Sequence, residues 1–159
     1  MIDILRVLVV ILLVFLAAGC DTTSQQDDFA EDASSPPSGY SRTDESGVEV
    51  EADNDDWRTS PVYAGKVSVR PAYPNPVSAG EFVTVPVTIT AFGTVYAPLQ
   101  LETLRDGRLI TLDQIDQAAD PGAYVFTFSA AQFGVRGLHR VFIFDGVGEI
   151  VSYGDIMVN

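Results

Sequence analysis

The chain has 159 residues, enough for one domain of ordinary size with accessory segments. It carries 22 acidic residues against 9 basic ones, a formal charge of −13, which argues against a nucleic-acid partner because phosphate binding needs a basic patch. The acidity is local. Twelve of the acids lie between Asp21 and Trp57 with only Arg42 among them, whereas from Arg58 onward nine acids meet seven bases.

The N-terminus has an unbroken apolar run from Val7 to Ala18, after Arg6, that ends in Gly19-Cys20. As a helix, twelve residues rise about 18 Å, short of the roughly 30 Å hydrocarbon core, so the layout predicts a cleavable export signal over 1–19. Leu16-Ala17-Ala18-Gly19-Cys20 resembles the lipobox of bacterial lipoprotein signal peptides. The resemblance implies a cut between Gly19 and Cys20, acylation of the Cys20 thiol, and a membrane partner held through lipid. Cys20 is the only cysteine, so it has no disulfide partner within the chain. One acyl chain binds membranes marginally, at about 0.8 kcal/mol per buried methylene, and two or three anchor stably. The expected location is the cell envelope, at the outer membrane, facing the periplasm or the exterior.

Residues 20–65 read as a disordered acidic tether. Ser, Thr, Asp, Glu, Pro and Gly dominate, and the apolar residues Phe29, Tyr40, Val48, Val50 and Trp57 stand alone. Such a segment buries too little surface to offset its ordering entropy, and about 45 residues would span on the order of 35–40 Å. Asp53-Asn54-Asp55-Asp56 lacks the turn glycine of a calcium loop and has Trp57 where a ligand belongs, so it reads as a solvated acidic run.

From Lys66 the pattern becomes alternation broken by turns. Val67 and Val69 share a face, and Val83, Val85, Val87 and Ile89 alternate with Thr84, Pro86, Thr88 and Thr90. Pro86 lacks an amide donor and predicts an edge strand or a bulge. Val95 to Leu101 reads as the next strand. Asp106-Gly107 marks a hairpin turn leading into Leu109–Leu112. Tyr124, Phe126 and Phe128 share a face, and Leu138–Phe144 is apolar enough for a central strand. About seven short strands over 66–159 predict an all-β, antiparallel, Ig-like β-sandwich.

Within this domain, Tyr73-Pro74-Asn75-Pro76 precedes an alternating strand. A Gly107-Arg108-Leu109-Ile110 strand, a Gly122-Ala123-Tyr124-Val125-Phe126 strand and a step from Phe133 to Gly137 follow in order. The series resembles the C-terminal sorting domains of type IX secretion cargo and the Ig-like domain of flagellar hook-assembly proteins. The resemblance implies the sandwich fold and, as one alternative, a remnant sorting role.

Catalysis finds little support. His139 is the only histidine, so zinc and Ser-His chemistry lack their usual groups and neither metal nor cofactor is expected. Asp113 and Asp116 are the one carboxylate pair weighed for acid–base work, with polar loop residues as the plainer reading. Tyr124, Phe126, Phe128, Phe142 and Phe144 could stack on sugars, although their alternation fits core packing better. The expectation is a non-enzymatic envelope lipoprotein that presents a small sandwich to a protein partner through its strand edges, with a surface-polysaccharide module as the alternative.

Overall fold

A computed structural model describes residues 21–159; Gly19, Cys20 and the leader before them lie outside the described residues. The chain divides between Ser34 and Ser35 into two units. The first contains helix α1, Asp21–Ser34, whose last turn is closed by Ser34 Oγ donating to Glu31 O at 2.8 Å. That last turn holds no basic residue to complement the helix C-terminus.

The second unit, Ser35–Asn159, is an all-β sandwich built from ten strands. Three short ones come first: β1 (Arg42–Thr43), β2 (Glu49–Glu51) and β3 (Arg58–Thr59). The seven expected from sequence follow: β4 (Val67–Val69), β5 (Phe82–Ile89), β6 (Leu99–Arg105), β7 (Arg108–Ile115), β8 (Gly122–Ser129), β9 (Gly137–Phe144) and β10 (Ile150–Val158). One layer has the order β4-β5-β8 and the other β3-β10-β9-β6-β7, while β1 and β2 pair as a separate two-stranded ribbon, every pairing antiparallel. Long-range partners such as β5 with β8 and β6 with β9 give the Ig-like connectivity, with β7 joined to β6 instead of extending the smaller sheet.

Period-two burial explains the core. Val83, Val85, Val87 and Ile89 of β5 and Phe126 and Phe128 of β8 turn inward. They meet Leu99, Leu101, Val141, Ile143 and Ile156 from the larger sheet. Asp106 and Gly107 both have positive φ, 53° and 74°, as the tight β6–β7 turn requires.

Four expectations need correction. The folded unit begins at Ser35, not at Lys66, because the lone apolar residues of the acidic stretch take core positions: Trp57 is 5% exposed and Tyr63 4%. Pro86 does not put β5 at an edge, since β5 is the middle strand of its sheet. Arg70 N donates to Pro86 O at 3.0 Å, so the proline nitrogen faces Arg70 where β4 ends, and the sheet goes without only the reciprocal bond to Arg70 O at that last rung. The strand expected from Val95 starts only at Leu99, after the cis Ala97–Pro98 bond, and Ala97 is exposed. The two short strands that the sequence suggests at the end of the domain, Glu149–Tyr153 and Ile156–Val158, are one, β10, nine residues long.

Candidate functional site

Of the residues picked out in the sequence, Tyr73, Pro74, Asn75 and Pro76 are the ones the fold brings to a single junction. Their segment crosses from one sheet to the other. Tyr73 bridges Thr84 of β5, and four residues later Val77 runs parallel to Val158 of β10. Both Tyr73–Pro74 and Asn75–Pro76 are cis. Between the bridges Asn75 is wholly buried, and both its amide hydrogens and its carbonyl oxygen are used for stapling. Nδ2 donates to Ser41 O and to Asp155 O, each at 3.0 Å, while Oδ1 accepts Met157 N at 3.0 Å. Its backbone O accepts Thr43 N at 2.8 Å. One side chain thus ties the N-terminal arm to the last strand.

A second junction lies next to it on the outer face of the larger sheet. Arg140 of β9 pairs with Asp155 of β10 in a bidentate geometry, Nε to Oδ1 and Nη2 to Oδ2, both at 2.8 Å. The guanidinium lies 4.8 Å from the Tyr153 ring centroid, and Nη1 donates to Ser35 O at 2.8 Å. Asp56 comes in from the arm, accepting Asp155 N at 2.6 Å and Ser41 N at 2.7 Å. Burial pushes the Asp56 carboxyl up to about 7, against the pull of its two backbone donors. Burial also raises Asp155, with Arg140 opposing the push. Trp57 follows with φ 56° and lays its ring on Gly154, where a Cβ would come 2.4 Å from ring atoms. The reading of Asp53–Asp56 as a solvated run therefore fails at Asp56. The available signals were an indole after the acidic run and an arginine inside an apolar strand.

The remaining motif residues are dispersed. Gly107 makes the β6–β7 turn, Gly122 opens β8, and Gly137 opens β9 at φ 127°. Tyr124 packs against the core with its hydroxyl on Asp120 O at 2.8 Å. Asp113 and Asp116 do not converge on a cleft. Asp113 Oδ2 accepts Thr127 N at 2.7 Å, bridging β7 to β8, and Asp116 accepts the Gln114 amide. His139 stacks on Phe133 at 4.5 Å with Nε2 2.9 Å from Val135 O. Buried Asp145 closes the β9–β10 turn by accepting Val147 N and Glu149 N, both at 3.1 Å, and receives the Tyr63 hydroxyl at the same distance.

An open cleft of about 660 Å³ is lined by Thr43, Asp44, Glu45, Pro74, Pro76 and Glu81 among others. Its acids serve the local backbone: Asp44 Oδ1 accepts Ser46 N and Val48 N at 2.9 Å, and Glu81 Oε2 accepts Ser78 N at 3.1 Å. Among the described residues no group of three His, Cys, Asp or Glu side chains is placed to hold a metal, and no helix is long and apolar enough to cross a membrane. The aromatic series splits. Phe126 and Phe128 are core, whereas Phe142 and Phe144 sit half-buried on the outer face of β9 with centroids 5.9 Å apart.

These features define a class: an all-β sandwich in which the buried Asn75, Asp56 and Asp155 join segments distant in the chain. No protein-family model matches the chain, and no curated protein matches it.

Proposed function

We propose that this chain is a non-enzymatic lipoprotein of the cell envelope, exported, cut before Cys20 and held on the outer membrane by acyl groups on that residue. The observation that carries the reading is the position of Cys20, the single cysteine, directly after Ala18-Gly19 at the end of a twelve-residue apolar run. The sandwich is its presented module and its partner is another envelope protein. The stalk is shorter than the sequence suggested, because Asp21–Ser34 is helical and the folded unit starts at Ser35.

The role of Asn75 bears on the sorting-domain alternative. A Tyr-Pro-Asn-Pro segment that staples both ends of a sandwich is needed by the fold itself, so its presence argues for shared architecture and not for a secretion tag. Phe142 and Phe144, beside Gln100 and Glu102 on the same outer face, are what a polysaccharide-binding reading has to rest on. Half-buried rings make a poor stacking platform, and the protein-contact reading is preferred.

Metabolic labelling with a fatty-acid analogue tests the anchor. Wild-type protein should carry the label and the Cys20→Ala variant should not. Unlabelled wild-type protein, or mature material with its leader intact, ends the reading.

A further inference from the structure

Among the described residues the two layers of the sandwich end in four edge strands: β4 and β8 on one, β3 and β7 on the other. A sheet edge carries unpaired amides and carbonyls, so it is a template for another strand. Two of these edges, β3 and β4, are only two and three residues long. The β7 edge runs for eight residues but carries Arg108 and Asp113, and its register against β6 is irregular. By contrast β8, also eight residues long, holds no charge and no proline from Gly122 to Ser129. Uncharged runs of this length, rich in aromatic and β-branched residues, are the ones that pair with their own copies.

Hydrogen bonds fix which groups of β8 are left over. In β5, Thr84 bonds Tyr73 in both directions and Pro86 O accepts Arg70 N, so these residues face away from β8. Their partners across the ladder, Thr127 and Val125, therefore turn their amides and carbonyls to the open edge, and Ala123 follows by alternation. One side chain closes that edge at Thr127. Asp113 Oδ2 accepts Thr127 N at 2.7 Å, while Oδ1 accepts Gln114 N of β7 at 2.8 Å. A single half-buried carboxylate thus holds one amide from each of two edge strands. An inward charge of this kind is a known way to blunt an edge.

We propose that Asp113 is the gate on a latent self-association edge: it keeps β8 from accepting the β8 of a second copy of this chain. With the gate gone, two copies related by a two-fold axis at Val125 would pair antiparallel. Val125 would then stand opposite its own counterpart, and Ala123 and Thr127 of opposite copies would exchange the bonds that Asp113 now prevents. The two small sheets would become one continuous sheet. In a molecule of formal charge −13, an uncharged strand is where two copies meet with least repulsion. To pair, each copy must give up its charged Asp113–Thr127 bond, and a bond of that kind resists by roughly tenfold or more. Two of them hold self-association down about a hundredfold.

Sedimentation equilibrium tests the gate, on the chain from residue 20 onward with Cys20→Ser so that no anchor takes part. Asp113→Ala should associate about a hundredfold more tightly than this parent. Asp116→Ala, which removes an exposed acid nearby, should behave as the parent does. Asp113→Asn keeps one neutral acceptor and should fall between, about tenfold tighter than the parent. In the Asp113→Ala background, Val125→Cys should oxidise to a disulfide dimer, because opposed Cα atoms in such a pair stand about 5.5 Å apart. Val125→Lys in the same background should restore the parent's behaviour. Asp113→Ala no more associated than the parent overturns the proposal. So does association that Asp116→Ala shares, that forms no disulfide at position 125, or that Val125→Lys leaves intact. If Asp113→Ala alone fails to fold by circular dichroism, Asp113→Asn decides by the same readings. Loss of the fold in both also overturns the proposal, since the carboxylate would then support the sandwich instead of gating its edge.

Discussion

Between Lys66 and Asn159 the chain is held by ladders: eight consecutive residue pairs join β5 to β8, and eight join β10 to β9. Between Ser35 and Gly65, apart from the two-residue β3–β10 pairing and the short β1–β2 ribbon, it is held by single attachments. Ser41 N and Asp155 N meet on Asp56, Thr43 meets Asn75, Ser60 N donates to Val151 O, and Trp57 and Tyr63 fill core positions. The ladders repeat every two residues and tolerate the loss of one rung. The attachments do not repeat, and each depends on one named group. An acidic, apolar-poor segment can therefore be part of a fold when its few large side chains and one carboxylate each find a prepared place.

The largest effect should come from Arg140→Ala. The variant strands Asp155 as an unpaired charge and removes the donor to Ser35 O, and removing one partner of a buried ion pair costs about 3–5 kcal/mol. Denaturant midpoints would report it, and a loss below about 1 kcal/mol would mean that the junction is solvated after all.

A smaller, graded effect should appear with pH. The Asp56 carboxyl titrates at about 7 in the folded chain against 3.8 when unfolded, so between those values the folded state binds more protons. Its contribution is therefore complete below the lower value and fades as pH rises through the upper one. Stability should grow on acidification across that window, by on the order of 4 kcal/mol at most for this group. Raised Asp155 has the same sign. Asp56→Asn should flatten much of the slope, and an unchanged slope would assign it to other carboxylates.

The least sensitive position should be Pro86. Pro86→Ala adds a donor that faces the end of β4 and removes no contact a ladder needs, so stability should move by no more than about 0.5 kcal/mol. A change of several times that size would show that the ring itself anchors the outer face of the sheet.

How much of this was legible follows the same division. Alternation exposed β5 and β8, the apolar run marked β9 as central, and Asp106-Gly107 fixed the hairpin, because in each case local sequence and burial share a period. Pro86 misled because a proline's cost depends on which neighbour its nitrogen faces, which is a tertiary fact. Trp57 and Asp56 marked an oddity in the sequence without telling what they meet, for a related reason. Nothing local tells an isolated indole in a loop from one resting on a glycine almost a hundred residues later. Asn75 stood out as a motif residue, but its staple to Ser41, Asp155 and Met157 required knowing that both ends of the domain meet there. Asp113, offered as half of an acid–base pair, instead closes the gap between β7 and β8.

Native-state hydrogen exchange compares the arm with the sandwich most directly. The amides of Ser41, Thr43 and Ser60, which donate to Asp56, Asn75 and Val151, should exchange as slowly as those of β10 and open only with the whole unit. Exchange at unfolded-chain rates from Ser35 to Gly65, while β5, β8, β9 and β10 remain protected, would contradict the account and return that segment to the solvent.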